Sequence, residues 1–231
     1  MEKLPPVTKN LLIINVLAWM GTLAMRKYGI DLFQILGLHF FKAPSFRIWQ
    51  LVTYMFLHEG FQHIFFNMFA VWMFGRVMES VWGSRKFLVF YFICGIGAGL
   101  CQELCQYVHY SMVLAQYTSV NIGSGIIPMA TYLDQILTVG ASGAVYGILL
   151  GYGMTFPDNE LFIIPFPFPI KAKWLVTGYV VLELILGIKG SAADNVAHFA
   201  HLGGMLAGLL VILYWRHKQK KERDNHVDFG W

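Results

Sequence analysis

Three segments of an otherwise apolar chain carry side chains able to do chemistry together. They are His58-Glu-Gly-Phe-Gln-His63-Ile-Phe-Phe-Asn67, Gly140-Ala-Ser142-Gly143 followed by Tyr146, and His198-Phe-Ala-His201-Leu-Gly203-Gly204. A serine hydroxyl is a weak nucleophile until a neighbouring base takes its proton, so Ser142 needs a partner. Gly143, Gly147 and Gly151 recur every four residues, as do Ala200, Gly204 and Gly208. Two helices with such stripes approach closely at the backbone. That approach brings Ser142 within reach of a histidine on the other helix. His201 lies three residues before Gly204 and near its face, whereas His198 is a turn earlier on a neighbouring face. His201 is therefore the expected base, and His198 is expected to be a structural or interface histidine.

Acyl chemistry also needs donors for the developing oxyanion, each worth about 3–4 kcal/mol. His63 and Asn67 are four residues apart, hence on one helical face, and offer an imidazole and an amide N–H. The backbone N–H of Ser142 is a third candidate. Tyr146 stands one turn from Ser142 and is a candidate for packing against the base. No acid partner is evident. Asp194 is two helical turns, about 10 Å, before His201. Glu103 and Glu183 fall in other apolar segments, and nothing in the spacing ties either to His201. Glu183 reads as a polar packing or water contact, and the expected machinery is a Ser142–His201 dyad.

These residues need apolar elements to position them. The chain has 231 residues, 57% hydrophobic and only 13% charged, where a soluble domain has about 25% charged residues. So little charge excludes a cytosolic enzyme, a disordered chain and a nucleic-acid binder. A polytopic helical membrane protein remains. At about 20 residues per span, the length suits six: about Leu11–Met25, Phe61–Met78, Phe87–Tyr107, Val139–Phe156, Trp174–Ile188 and Val196–Trp215. The fourth and sixth are rich in Gly and Ala, as helices buried among helices are.

With six spans, twelve of the 17 Lys and Arg residues fall on the side of the termini and five on the other. The positive-inside rule then puts both termini in the cytoplasm. The expected layout is a cytoplasmic N-terminus (1–10), a six-helix membrane unit (11–215) and a basic cytoplasmic tail (216–231). Long outer loops run over about 26–60 and 108–138. The first is aromatic-rich and expected partly in the membrane interface; the second is expected to be partly irregular. Pro157–Pro169 holds four prolines and reads as an extended cytoplasmic connector. Cys94, Cys101 and Cys105 read as small buried apolar residues. There is no internal repeat, as an inverted-repeat transporter would have.

Taken together, His58-x4-His63-x3-Asn67, Gly140-Ala-Ser142-Gly143 with Tyr146, and Ala200-His201-x2-Gly204-x3-Gly208, in that order on these spans, resemble the rhomboid intramembrane serine proteases. The resemblance implies an all-α bundle of six transmembrane helices. It implies Ser142 as nucleophile, His201 as base, and His63, Asn67 and the Ser142 backbone as oxyanion hole. Tyr146 stacks on the base, and Gly140, Gly143 and Gly204 support the site. The implied reaction is endopeptidase cleavage of single-span or otherwise membrane-anchored proteins near the outer face of the bilayer. Substrate would enter beside the fifth span, and neither metal nor organic cofactor would be used. A bacterial inner (plasma) membrane is the expected location. Where the family often has a Trp-Arg pair in the first loop, this chain has Arg47-Ile-Trp49.

Two other classes compete. A zinc intramembrane protease needs His-Glu-x-x-His, and His58-Glu-Gly-Phe-Gln-His63 has one residue too many to put both rings on one face. A catalytically inactive relative that binds membrane clients typically lacks the serine or the histidine, and both are present here. A channel or transporter would need charged pathway residues in facing spans.

Overall fold

Pro6 opens the first helix, α1 (Pro6–Arg26), at a position whose N–H has no intrahelical partner anyway. In this computed structural model, which describes residues 3–162, 168–189 and 198–227, the other free donors of that first turn are met from a distant helix. Glu79 accepts from the backbone N–H groups of Val7 and Thr8 and from the Thr8 hydroxyl. It also accepts from Ser84 Oγ. One carboxylate thus fastens the head of α1 to the turn between the next two long helices.

The first long connection is structured rather than loose. Asp31 caps α2 (Leu32–Leu36) by accepting from Phe33 N. The short strand β1 (Leu38–His39), the single-turn helix α3 (Gln50–Thr53) and a 3₁₀ turn (Tyr54–Phe56) follow. Buried Gln50 organises this segment. Its carbonyl accepts from the backbone of His39 and Arg47, and its amide donates to the Ile35 and Ser45 carbonyls. Arg47 donates to the Pro44 and Phe46 carbonyls, while Trp49 is exposed.

Next, α4 (Phe61–Ala70) passes through a wide π turn (Val71–Gly75) into α5 (Arg76–Trp82). A reversal at Gly83, with φ 81°, starts α6 (Ser84–His109). A second π turn (Tyr110–Leu114) leads to the hairpin of β2 (Ser119–Asn121) and β3 (Ile126–Pro128). Then come α7 (Met129–Asp134), β4 (Leu137–Thr138), α8 (Ser142–Thr155), β5 (Glu160–Leu161), β6 (Ile170–Lys171), α9 (Ala172–Lys189) and α10 (His198–Val227). β5 pairs with β6 beside Asp158, whose carboxyl is held below the usual range by Lys173 and, more weakly, Lys171. In the expected Pro157–Pro169 connector, residues 163–167 lie outside the described residues, as does Asp194.

Among the described residues, four helical stretches are long and apolar enough to cross a membrane: Pro6–Arg26, Phe61–Trp82, Ser84–Leu114 and His198–Asp224. α8 and α9, of 14 and 18 residues, are compatible with the fourth and fifth of six spans. The last helix does not stop at Trp215 but carries the basic segment on as helix to Val227. Outward-facing side chains are those lipid favours, including Leu17, Met20, Phe65, Phe66, Leu184 and Ile188.

The core runs through all the long helices from Leu11 to Ile212. At its centre α10 lies along α6 and α8. Small residues permit this. A Cβ on Gly204 would fall 2.0 Å from the Gly143 carbonyl oxygen, and one on Gly143 would fall 2.3 Å from Ala98 Cβ. On the third side, one on Gly97 would fall 2.5 Å from Ala207 Cβ. The glycine stripes of α8 and α10 therefore face each other as expected, and α6 adds a third that the sequence reading did not single out. Of the cysteines, Cys94 is buried in this seam, whereas Cys101 and Cys105 are half-buried.

Candidate active site

At the end of the small-residue seam that holds Ser142, two loops meet. β1 and β4 pair antiparallel, Leu38 with Thr138 and His39 with Leu137. Asp134 accepts from Ser45 N, and Glu103 from Phe41 N. Two residues past β4, Gly140 donates its N–H to the Tyr54 carbonyl. Its φ of 123° favours glycine, and a Cβ there would lie 2.6 Å from His63 Nε2. Both constraints demand glycine at Gly140, and together they bring His63 to the turn that presents Ser142.

Ser142 is the first residue of α8. The opening N–H groups of a helix have no intrahelical acceptor and form its positive end. A nucleophile there has donors beside it without further side chains. Its Oγ lies 2.8 Å from His201 Nε2. The His201 ring stacks on Tyr146, with centroids 4.2 Å apart and planes 10° from parallel. Both placements agree with the sequence expectation.

The other ring nitrogen of His201 meets a residue that helical spacing alone does not tie to it. Glu183, buried on α9, has Oε1 3.0 Å from His201 Nδ1 and 2.5 Å from the Tyr146 hydroxyl, which donates to it. Its Oε2 lies 2.6 Å from His198 Nδ1. His198 and His201 thus share one carboxylate, and the expectation of a dyad without an acid neighbour is corrected. The inward face of α9 held a signal: Val176, Tyr179, Glu183 and Gly187 follow helical spacing, with the only carboxylate of that span among them. A Cβ at Gly187 would meet Phe199 and His198, and Tyr179 meets the Tyr146 ring edge-on.

His63 and Asn67 share the inner face of α4, and Asn67 is buried. Asn67 Nδ2 gives one hydrogen to the His63 carbonyl at 3.0 Å, and an amide nitrogen has a second to offer. His58 packs edge-on against the His63 ring at 4.9 Å. Burial, with His63 beside it, pushes the His58 imidazole down to about 3, so it is neutral at ordinary pH.

Glu183, His198 and His201 are also the one group among the described residues with the makings of a metal site, their ligand atoms lying within 4.8 Å of one another. Those atoms are hydrogen-bonded to one another, so a cation would have to displace two N–H protons. His58 and His63 belong to no such group.

A family model described as a Rhomboid domain matches residues 45–218. The chain is 28% identical to Rhomboid protease GluP of Bacillus subtilis over 163 residues, covering 69% of this chain and 24% of that protein. It is 28% identical to Rhomboid protease GlpG of Yersinia pseudotuberculosis over 173 residues, 73% of this chain and 48% of the relative. It is 28% identical to Rhomboid-like protease 3 of Toxoplasma gondii over 171 residues, 74% and 53% of the two chains. The chain therefore spans between a quarter and about half the length of these curated relatives.

Proposed function

Because the chain belongs to the rhomboid family, we propose that it is an intramembrane serine endopeptidase cutting membrane-anchored proteins near the outer face of the bilayer. The observation that carries this reading is the 2.8 Å contact between Ser142 Oγ and His201 Nε2, made at a helix N-terminus inside an apolar bundle. His201 takes the hydroxyl proton as Ser142 Oγ bonds to the carbonyl carbon, and the carbonyl electron pair moves onto oxygen. The Ser142 backbone N–H, His63 and Asn67 meet that charge. His201 then protonates the leaving amide nitrogen, and water, activated by the same ring, releases the acyl group. Supporting residues are Tyr146, Gly140, Gly143 and Gly204. Both termini are taken to be cytoplasmic, and the membrane to be a bacterial inner membrane. No metal or organic cofactor enters the reaction.

The test is covalent labelling of the purified protein with a fluorophosphonate. Ser142 should carry the label, the label should vanish in Ser142→Ala and fall sharply in His201→Ala, and a chelator should change nothing. Labelling that survives in His201→Ala but is lost in His198→Ala would move the base to His198. A wild type that neither labels nor cuts any single-span substrate would favour an inactive client-binding relative.

A further inference from the structure

We infer that Glu183 is a positioning residue that sets the working tautomer of His201, and that His198 holds Glu183 in place by its other oxygen. The inference rests on the Ser142–His201 reading and extends it from a dyad to a four-member relay.

A carboxylate only accepts, so each group facing Glu183 must donate to it. The His201 nitrogen at 3.0 Å is Nδ1, which therefore carries the ring proton. Nε2 is left with a free lone pair, and Nε2 is the atom 2.8 Å from Ser142 Oγ. That is the tautomer a general base requires. The reverse tautomer would point an N–H at the hydroxyl and could not take its proton.

The carboxylate itself is well held. Oε1 accepts from Tyr146 and His201, and Oε2 from His198 Nδ1. Glu183 is 3% exposed, and a buried carboxylate is stable only when its lone pairs are met by donors. Tyr146 thus has two duties: its ring stacks on His201, and its hydroxyl fixes the oxygen that His201 uses. When His201 takes the serine proton it becomes an imidazolium, and Glu183 lies next to that new charge with little water to weaken the attraction.

The variant to make is Glu183→Gln, which keeps the shape and removes the charge. Cleavage of a single-span substrate should lose up to about 10,000-fold in kcat, the loss seen when a triad carboxylate becomes an amide. KM should stay within about threefold, because the loss falls on the transition state. His198→Ala should lower kcat about 10-fold, the loss of one hydrogen bond to a charged group. A readout on the wild type stands apart from any folding defect. In protein with ¹⁵N-labelled histidine, the His201 resonances should show Nδ1 protonated and Nε2 bare. A Glu183→Gln protein within threefold of wild-type kcat would overturn the inference, as would a His201 ring protonated at Nε2. If Ser142 still takes the fluorophosphonate in either case, only the relay has failed. A wild type in which Ser142 takes no label would instead sink the underlying protease reading.

Discussion

Gly140 shows how much of the site hangs on single atoms. An alanine there costs about 1–2 kcal/mol for the backbone conformation alone, and its methyl would press on His63 Nε2. Gly140→Ala should lower turnover by about 100-fold, the effect of roughly a 1 Å displacement of a reacting group, while a melting curve moves by only a few degrees. If His63 and Asn67 donate to the oxyanion, His63→Ala and Asn67→Ala should each lower kcat roughly 10- to 1,000-fold with binding nearly intact, since such donors act on the transition state. Variants that lose binding but keep turnover would remove them from that role. His58 makes a different prediction. Its imidazole titrates near 3 in the folded protein and near 6.5 unfolded. Between those values the unfolded chain binds the extra proton, so stability falls as pH drops from 6.5 toward 3, by at most about 1.4 kcal/mol per pH unit. Denaturation of wild type in detergent should show that slope, and His58→Gln should flatten it. Ser142, His201, His63, Asn67 and Tyr146 could be read from the chain because their partners follow from helical spacing and from glycine neighbours. Glu183 could not. Its partners sit on two other helices, and one sequence does not give the rotation of α9 about its axis.

At the scale of elements, the seam of α8, α10 and α6 decides whether Ser142 meets His201. The pairing of the first two was legible, because glycine every fourth residue leaves a groove and two grooves fit together. The part played by α6 was hidden, because Cys94, Gly97 and Ala98 follow no such strict repeat. The loops that carry β1 and β4 were hidden too. β1 and β4 are two residues each, too short for any alternation to register, and Gln50 acts through backbone contacts that leave no pattern. Gly204→Val tests the seam. Its side chain would strike the Gly143 carbonyl, so the helices must part and activity should fall by about 100-fold or more. Activity should fall further than the melting temperature suggests. A fully active Gly204→Val protein would mean that these stripes do not govern the Ser142–His201 distance.

Over the whole molecule, few charges and many apolar residues point to the membrane, and the exposed aliphatic and aromatic side chains of the long helices agree. The split of Lys and Arg argues for both termini in the cytoplasm. Reporter fusions at Trp231 and in the hairpin at Gly123 should report opposite sides, and the same side for both would refute the six-span layout. The number of spans was harder to read than their existence, since α8 is only 14 residues long. At 1.5 Å per residue it is about 21 Å long, so it suits the protein interior that surrounds it better than direct exposure to lipid. The decisive measurement is cleavage of a single-span protein by the purified chain in liposomes, with the cut site mapped by mass spectrometry. If Ser142 and His201 do the cutting, there should be one cut at or near the outer end of the substrate helix, lost in Ser142→Ala and in His201→Ala and indifferent to chelators. Cleavage that persists in Ser142→Ala, or that a chelator abolishes, would contradict that assignment.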